Sequence, residues 1–228
     1  MRERLKRADA RTLVFPSILS ADFTRLGEES LGVLEAGADG LHLDVMDGHF
    51  VPNLTMGPDV CRCLRARFPH VCLDVHLMVT YPEQFFEPFI QAGADHLTFH
   101  MEVMNIDKAV DLARDVRELG ATAGLAVNPK TPIEPVLSIA DQFELILVMS
   151  VQPGFSGQAF RAEVLEKVRR LREQGYRGWI QMDGGVGPKN AAAVRGAGVN
   201  VLVAASAIFG QASDKRAGVI SDLRISGG

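Results

Sequence analysis

The chain has 228 residues, 47% of them hydrophobic and 23% charged, with a formal net charge of −4. This is the composition of an ordinary globular domain. The acidic balance, with a pI near 5.9, offers no basic field for nucleic acid. No apolar run approaches the roughly 18 residues of a membrane span, so neither nucleic acid nor membrane is an expected partner.

The opening residues Met1 to Arg11 lack an apolar core and do not read as a secretory signal. They form an expected short, solvated, flexible extension over residues 1–12, ahead of one catalytic domain over residues 13–228. Apolar, strand-like runs then recur at Leu13–Leu19, Gly40–Met46, Val71–Met78, His96–His100, Ala121–Val127, Leu145–Ser150, Trp179–Asp183 and Asn200–Ala204. Helical spacing predicts Phe23–Leu34, Pro82–Ala92, Ile106–Leu119, Ala159–Gln174 and Pro188–Arg195 between them. Gly recurs where a helix must stop and a strand begin, as in Ala36-Gly-Ala-Asp39, Ala92-Gly-Ala-Asp95, Glu118-Leu-Gly-Ala121 and Gly196-Ala-Gly198. Several strands are apolar on both faces, as parallel strands covered by helices are. The alternation predicts an α/β fold, a single-domain (β/α)8 TIM barrel. A doubly wound sheet is less favoured because no dinucleotide fingerprint is present. The three cysteines, Cys61, Cys63 and Cys72, are too few and too oddly spaced for a disulfide framework or a structural zinc site. They fit free thiols in a reducing cytoplasm.

Strand residues alternate between faces. His42, Asp44 and Met46 therefore share one face of the second strand, and Asp74, His76 and Met78 share one face of the third. In a barrel the active site lies at the C-terminal strand ends. His42, Asp44, His76 and Asp183 are assigned to that rim, where two imidazoles and two carboxylates suit a divalent metal. Asp74 is expected either as a hydrogen-bonding partner of His76 or as a polar core group. The turns Asp183-Gly-Gly-Val-Gly187 and Val203-Ala-Ala-Ser-Ala207 follow the last two strands, where such barrels hold phosphate on backbone N–H groups. Ser206 is expected to add a hydroxyl or to cap the next helix. The loop Val151-Gln-Pro-Gly-Phe-Ser-Gly-Gln158 offers a glycine-hinged lid or further N–H donors. His49, His70, His96 and His100 are assigned to packing or surface roles. Lys130, after a proline in a loop, reads as solvated rather than as a Schiff-base lysine.

These motifs resemble the ribulose-phosphate 3-epimerase family. The matching pieces are Pro16-Ser-Ile-Leu-Ser-Ala-Asp22, Leu41-His-Leu-Asp-Val-Met-Asp-Gly-His-Phe-Val-Pro-Asn53, Asp74-Val-His-Leu-Met78, Val148-Met-Ser-Val-Gln-Pro-Gly-Phe155 and Asp183-Gly-Gly-Val186, within a span from about Val14 to Phe209. The resemblance implies one divalent ion per subunit, Zn2+, Fe2+, Mn2+ or Co2+, held by His42, Asp44, His76 and Asp183. It implies Asp44 and Asp183 as the catalytic acid/base pair. It further implies substrate contacts at Ser17, His76, Asp183, Gly154, Phe155, Ser156, Gly157, Gly184, Gly185, Ala205 and Ser206. Met46, Met78 and Met149 would cap the pocket. The implied substrate is a phosphorylated ketopentose, and the implied assembly is a homo-oligomer. Three positions depart from the family pattern. Ala205 and Ser156 stand where glycine is usual, and Gln152 fills a variable position. Ala205 is tolerable if its φ is negative.

The implied reaction inverts a carbon beside a ketone through an enediolate. That requires one base and one acid on opposite faces and an electrophile for the developing charge. The alternatives are a 3-epimerase of another ketose phosphate, such as allulose 6-phosphate, and a non-catalytic phosphosugar-binding barrel. Related barrels that decarboxylate or condense sugars carry a lysine in an Asp-x-Lys-x-x-Asp element. The corresponding stretch here, Asp44-Val-Met-Asp47, lacks it.

Overall fold

The computed structural model describes Leu5, Ala8, residues 11–155 and residues 157–224. Most of the expected extension over 1–12 therefore lies outside the described residues, as does Ser156. Leu5 is buried among apolar side chains that include Leu13, Phe15 and Trp179.

Eight parallel strands form one sheet: β1 (Leu13–Pro16), β2 (Gly40–Met46), β3 (Cys72–Met78), β4 (His96–His100), β5 (Thr122–Val127), β6 (Leu145–Met149), β7 (Trp179–Asp183) and β8 (Val201–Ala204). β1 pairs with β8, and a bridge between Ser17 and His42 brings β1 to β2, so the sheet curls into a nearly closed barrel. The helices are α1 (Leu26–Glu35), α2 (Pro58–Arg67), α3 (Phe86–Gln91), α4 (Ile106–Glu118), α5 (Glu134–Ile139), α6 (Leu165–Glu173), α7 (Pro188–Gly196), α8 (Ser206–Phe209) and α9 (Arg216–Arg224). The predicted (β/α)8 TIM barrel is the observed architecture.

The differences from the sequence reading lie at element ends and in four helices. The first strand stops at Pro16 rather than Leu19, because the Ser17 hydroxyl accepts the Leu19 N–H and folds Ile18–Ser20 into a tight turn. The helices predicted from Phe23, Pro82 and Ala159 become α-helical only from Leu26, Phe86 and Leu165, each after a 3-10 turn. α2, α5, α8 and α9 were not among the predicted helices. α2 hides only Cys61 and Leu64 and carries three arginines, so its apolar stripe is thin.

Register determines what faces inward. Asp44 is level with His76, and His76 with Thr98; His42 is level with Asp74, and Asp74 with His96. One wall of the interior, from β2 to β4, is therefore polar. The other is apolar, built from Leu13, Phe15, Leu145, Leu147, Met149, Trp179, Val201 and Val203. The outward strand residues, such as Leu41, Leu43, Val75, Leu97 and Ile146, pack under the helices in a separate, larger core.

The N-terminal end of the barrel is braced four times by one device. The residue just before each even strand, Asp39, Asp95, Glu144 or Asn200, accepts a backbone N–H of the preceding odd strand. Its side chain takes Val14 N at 3.0 Å, Leu73 N at 2.9 Å, Ala123 N at 2.8 Å or Ile180 N at 2.8 Å. Each also donates its own N–H to the carbonyl of that same residue. Three of the four carry an arginine partner: Arg224 on Asp39, Arg65 on Asp95 and Arg117 on Glu144. This is why the Ala-Gly-Ala-Asp spacing recurs. Gly37 and Gly93 take φ of 104° and 106° to leave the helix, and the aspartate two residues later locks the strand entry. Asp95→Ala strips an acceptor from Leu73 N–H and a partner from Arg65. It should lower stability by about 2 kcal/mol in urea unfolding while leaving ligand affinity at the opposite rim unchanged. A stability loss under about 0.5 kcal/mol would contradict the bracing role.

Candidate active site and metal centre

At the C-terminal end of the barrel, His42, Asp44, His76 and Asp183 converge, with one ligand atom from each lying within 4.8 Å of the others. Asp183 is the last residue of β7, Asp44 and His76 are fifth in β2 and β3, and His42 is only third in β2. His42 thus sits deeper than the rim position that the sequence suggested. Both imidazoles are fully buried, Asp44 is nearly so, and Asp183 is half-buried at the cleft surface.

His42, Asp44 and His76 each have a fixed partner. His42 Nδ1 lies 2.7 Å from Asp74 Oδ2, and Gln181 Nε2 donates to the same oxygen at 2.7 Å. His42 Nε2 is buried without a hydrogen-bond partner, 3.3 Å from Asp44 Oδ1. His76 Nδ1 is 3.1 Å from that same oxygen, and its Nε2 is 2.8 Å from His100 Nε2. The Ser17 hydroxyl donates to Asp44 Oδ2 at 2.5 Å. Of the two roles open to Asp74, a buried polar group is the one found, and its partner is His42 rather than His76, because register places the two side by side. His100, expected to pack, is fully buried and closes β4 in contact with His76.

Burial and charge set the protonation states. Burial works against the charged form of His42, but Asp74 and Asp44 outweigh it and raise its pKa well above the usual value. Burial also opposes ionisation of Asp44, yet the charge of His42 and its hydrogen bond hold the Asp44 pKa far below the ordinary range. Asp183 moves the other way: burial, then the negative charge of Asp44, push its pKa up. Burial lowers the pKa values of His76 and His100, His100 to about 4. The two carboxylates that share the cluster therefore differ, Asp44 ionised and Asp183 held toward its protonated form.

Above this cluster a cleft of about 280 Å3 opens, lined by Ser17, Asp44, Met46, Met78, Met149, Gly154, Phe155, Gly157, Asp183, Gly184, Gly185, Ala205 and Ser206. His42 and His76 lie beneath it. Gly184 and Gly185 have φ of 106° and 61°. A Cβ on Gly185 would come within 2.6 Å of Phe160 N and 2.7 Å of Gln158 O, so glycine is required sterically as well. Gly154 and Gly157 also take positive φ, 129° and 80°. Ala205 has a negative φ, −108° with ψ −93°, so its Cβ escapes the left-handed clash that would require glycine. Of the two roles open to Ser206, capping falls away, because it is the first residue of α8 and Ala205 occupies the cap. Met46 and Met78 pack together with Val51, whereas Met149 belongs to the apolar wall opposite.

The long motif after β2 serves the rim. Asp47 accepts the N–H groups of His49 and Phe50 at 2.8 Å, and of Thr80 at 2.8 Å, fastening this loop to the one after β3. Asn53 donates to Gly154 O at 2.8 Å and so joins the loops after β2 and β6 across the cleft.

Residues 13–209 match the Ribulose-phosphate 3 epimerase family. The chain belongs to that family, a family of isomerases. The ribulose-phosphate 3-epimerase of Synechocystis sp. is 48% identical over 201 residues, 86% of this chain and 87% of the relative. That of Mycobacterium tuberculosis is 46% identical over 220 residues, 95% and 93% of the two chains. The cytoplasmic isoform of Oryza sativa subsp. japonica is 44% identical, covering 96% of each. Among solved structures, 3-keto-L-gulonate-6-phosphate decarboxylase from Vibrio cholerae superposes with TM-score 0.72 at 15% identity, over 94% of this chain and 96% of the other. KGPDC from Streptococcus mutans gives 0.67 at 13%, over 93% and 95%. At that identity these two share the fold alone. Among the described residues no helix is long and apolar enough to cross a membrane.

The orphaned His42 Nε2, two imidazoles and two carboxylates together suit a divalent cation. The pKa values of His42 and Asp183 are both raised, so a cation competes with protons for each of these two ligands. Affinity for Co2+, titrated by its visible absorption, should therefore rise by at least about tenfold per pH unit between mild acid and neutrality. An affinity independent of pH between mild acid and neutrality would contradict this.

Proposed function

We propose that the chain interconverts D-ribulose 5-phosphate and D-xylulose 5-phosphate, with Asp44 and Asp183 as its two acid/base groups and one divalent ion held by His42, Asp44, His76 and Asp183. The observation that carries this reading is the pair of unlike carboxylates. Asp44 and Asp183 come from β2 and β7, three places apart around the ring, and meet at one floor with opposite preferences for the proton. Simple binding of a phosphosugar has no use for that difference, whereas inversion of a carbon beside a ketone needs it.

In the proposed reaction Asp44, ionised, takes the C3 proton from one face of the ketose. Asp183, protonated, returns one to the other face, and the reverse reaction exchanges the two roles. Ser17 holds Asp44 by its hydroxyl and contacts the substrate. The turns at Gly184, Gly185, Ala205 and Ser206, with the loop carrying Gly154, Phe155, Ser156 and Gly157, bind the phosphate end through backbone N–H groups. Met46, Met78 and Met149 cover the reacting carbon and keep water from it. The ion, when bound, supplies Lewis-acid stabilisation of the charge developing on the substrate oxygens. His42 is oriented for it by Asp74 and Gln181, so Nε2 is the atom presented. The mixed imidazole and carboxylate set suits Zn2+, Fe2+, Mn2+ or Co2+. The reading places the enzyme in the cytoplasm as a homo-oligomer.

Two measurements check the proposal. Asp183→Asn should reduce turnover by at least about a hundredfold with the melting temperature retained, and near-normal turnover would refute the two-base assignment. Ribulose 5-phosphate should be turned over in clear preference to allulose 6-phosphate, and activity should vanish on chelation and return with a divalent ion. A preference for the hexulose phosphate would move the assignment to another ketose epimerase.

A further inference from the structure

His100 and Glu102 are groups that the proposed reaction does not touch, yet they meet its floor. Glu102 Oε1 accepts the Asn128 N–H at 2.8 Å, and Oε2 lies 2.9 Å from His100 Nδ1. The far imidazole nitrogen, His100 Nε2, lies 2.8 Å from His76 Nε2. Burial pushes the Glu102 pKa up, but hydrogen bonds from His100, Thr131 and Asn128 prevail and bring it to about 2. Glu102 is therefore an acceptor at both oxygens.

The remaining hydrogen-bond directions follow one from another. An acceptor-only carboxylate requires the proton on His100 Nδ1. A neutral imidazole carries one N–H, so His100 Nε2 is an acceptor. Its neighbour 2.8 Å away must then donate, which places the His76 proton on Nε2 and leaves the Nδ1 lone pair free. That lone pair faces Asp44 Oδ1 at 3.1 Å. Two electron-rich atoms at that separation, with no proton between them, are set to share a cation.

We infer that Glu102 and His100 are positioning residues that lock His76 in its Nε2–H tautomer and so present Nδ1 to the metal centre. His42 is locked in the opposite sense by Asp74, which takes its Nδ1–H and presents Nε2. One ligand is oriented by a carboxylate directly, the other through an intervening imidazole. The Phe50 ring, 4.7 Å from the His100 ring between centroids, packs against the relay. Lys167 donates to the carbonyls of Asn128 and Thr131 at 2.6 Å and steadies the loop that supplies the Asn128 N–H. Partners of this kind are worth roughly tenfold to a hundredfold in metal affinity.

The inference rests on the metal centre proposed above, and its test separates the two. Co2+ is titrated into the metal-stripped full chain and into His100→Phe, His100→Gln and Glu102→Gln, each checked for folding by circular dichroism. His100→Phe removes the acceptor and should weaken Co2+ binding by about tenfold or more. His100→Gln keeps an oxygen for the His76 N–H and should recover most of that loss. Glu102→Gln, which offers an N–H where the carboxylate accepted, should weaken binding although it is isosteric. Nitrogen NMR of the histidine side chains should find His100 as the Nδ1–H tautomer, with or without Zn2+. Folded His100→Phe with wild-type Co2+ affinity, or His100 as the Nε2–H tautomer, would overturn the inference. A wild type with no Co2+ affinity would instead overturn the metal centre, and the His100 tautomer would still decide the relay on its own.

Discussion

Everything at the catalytic end follows from placing His42 between two buried carboxylates. Asp44 and Asp74 lie on either side of the ring, the first 3.3 Å from Nε2 and the second 2.7 Å from Nδ1. An uncompensated charge at this depth costs several kcal/mol. The pairing is therefore what lets the interior of β2 and β3 be polar at all. Gln181 reaches from β7 to the same Asp74 oxygen and ties the polar wall to the far side of the barrel. Burial, and then the negative charge of Asp44, raise the pKa of Asp183, whereas the charge of His42 lowers that of Asp44. The difference between two chemically identical side chains comes from their surroundings.

The two ends of the barrel divide the labour between stability and chemistry. At the N-terminal end, Asp39, Asp95, Glu144 and Asn200 spend their acceptors on strand backbone. At the C-terminal end, acceptors of the same kind converge on one another, and buried atoms such as His42 Nε2 are left without a partner. A brace needs every group satisfied; a binding centre needs some left for the ligand. The loops above are fastened too, with Asp47 and Asn53 joining those after β2, β3 and β6, while Gly184 and Gly185 form a turn too crowded for a side chain.

Much of this was legible in the sequence. Period-two alternation put His42 and Asp44 on one face, and the Ala-Gly-Ala-Asp repeats marked the strand entries. The Gly-Gly turn after β7 marked the small-residue end of the cleft. What escaped was whatever depends on the neighbouring strand. Alternation places Asp74 inward but does not say whether it meets His42 or His76; a register that puts Asp74 level with His42 decides it. His100 looked like an ordinary buried histidine because its partner is on another strand, although the glutamate two residues later was a usable signal. α2 and α9 escaped for a different reason. They hide only a few apolar residues each, and their arginines mask the helical stripe.

The central claim is that one carboxylate removes a proton and a different one returns it. The direct measurement is to run the reaction in deuterated water and examine C3 in the first product formed and in the substrate left behind. Separate groups on opposite faces predict product carrying solvent deuterium at C3 from the first turnovers, while remaining substrate keeps its hydrogen. Early product that retains the substrate's own hydrogen would mean a single group carries the proton across, and would contradict the account.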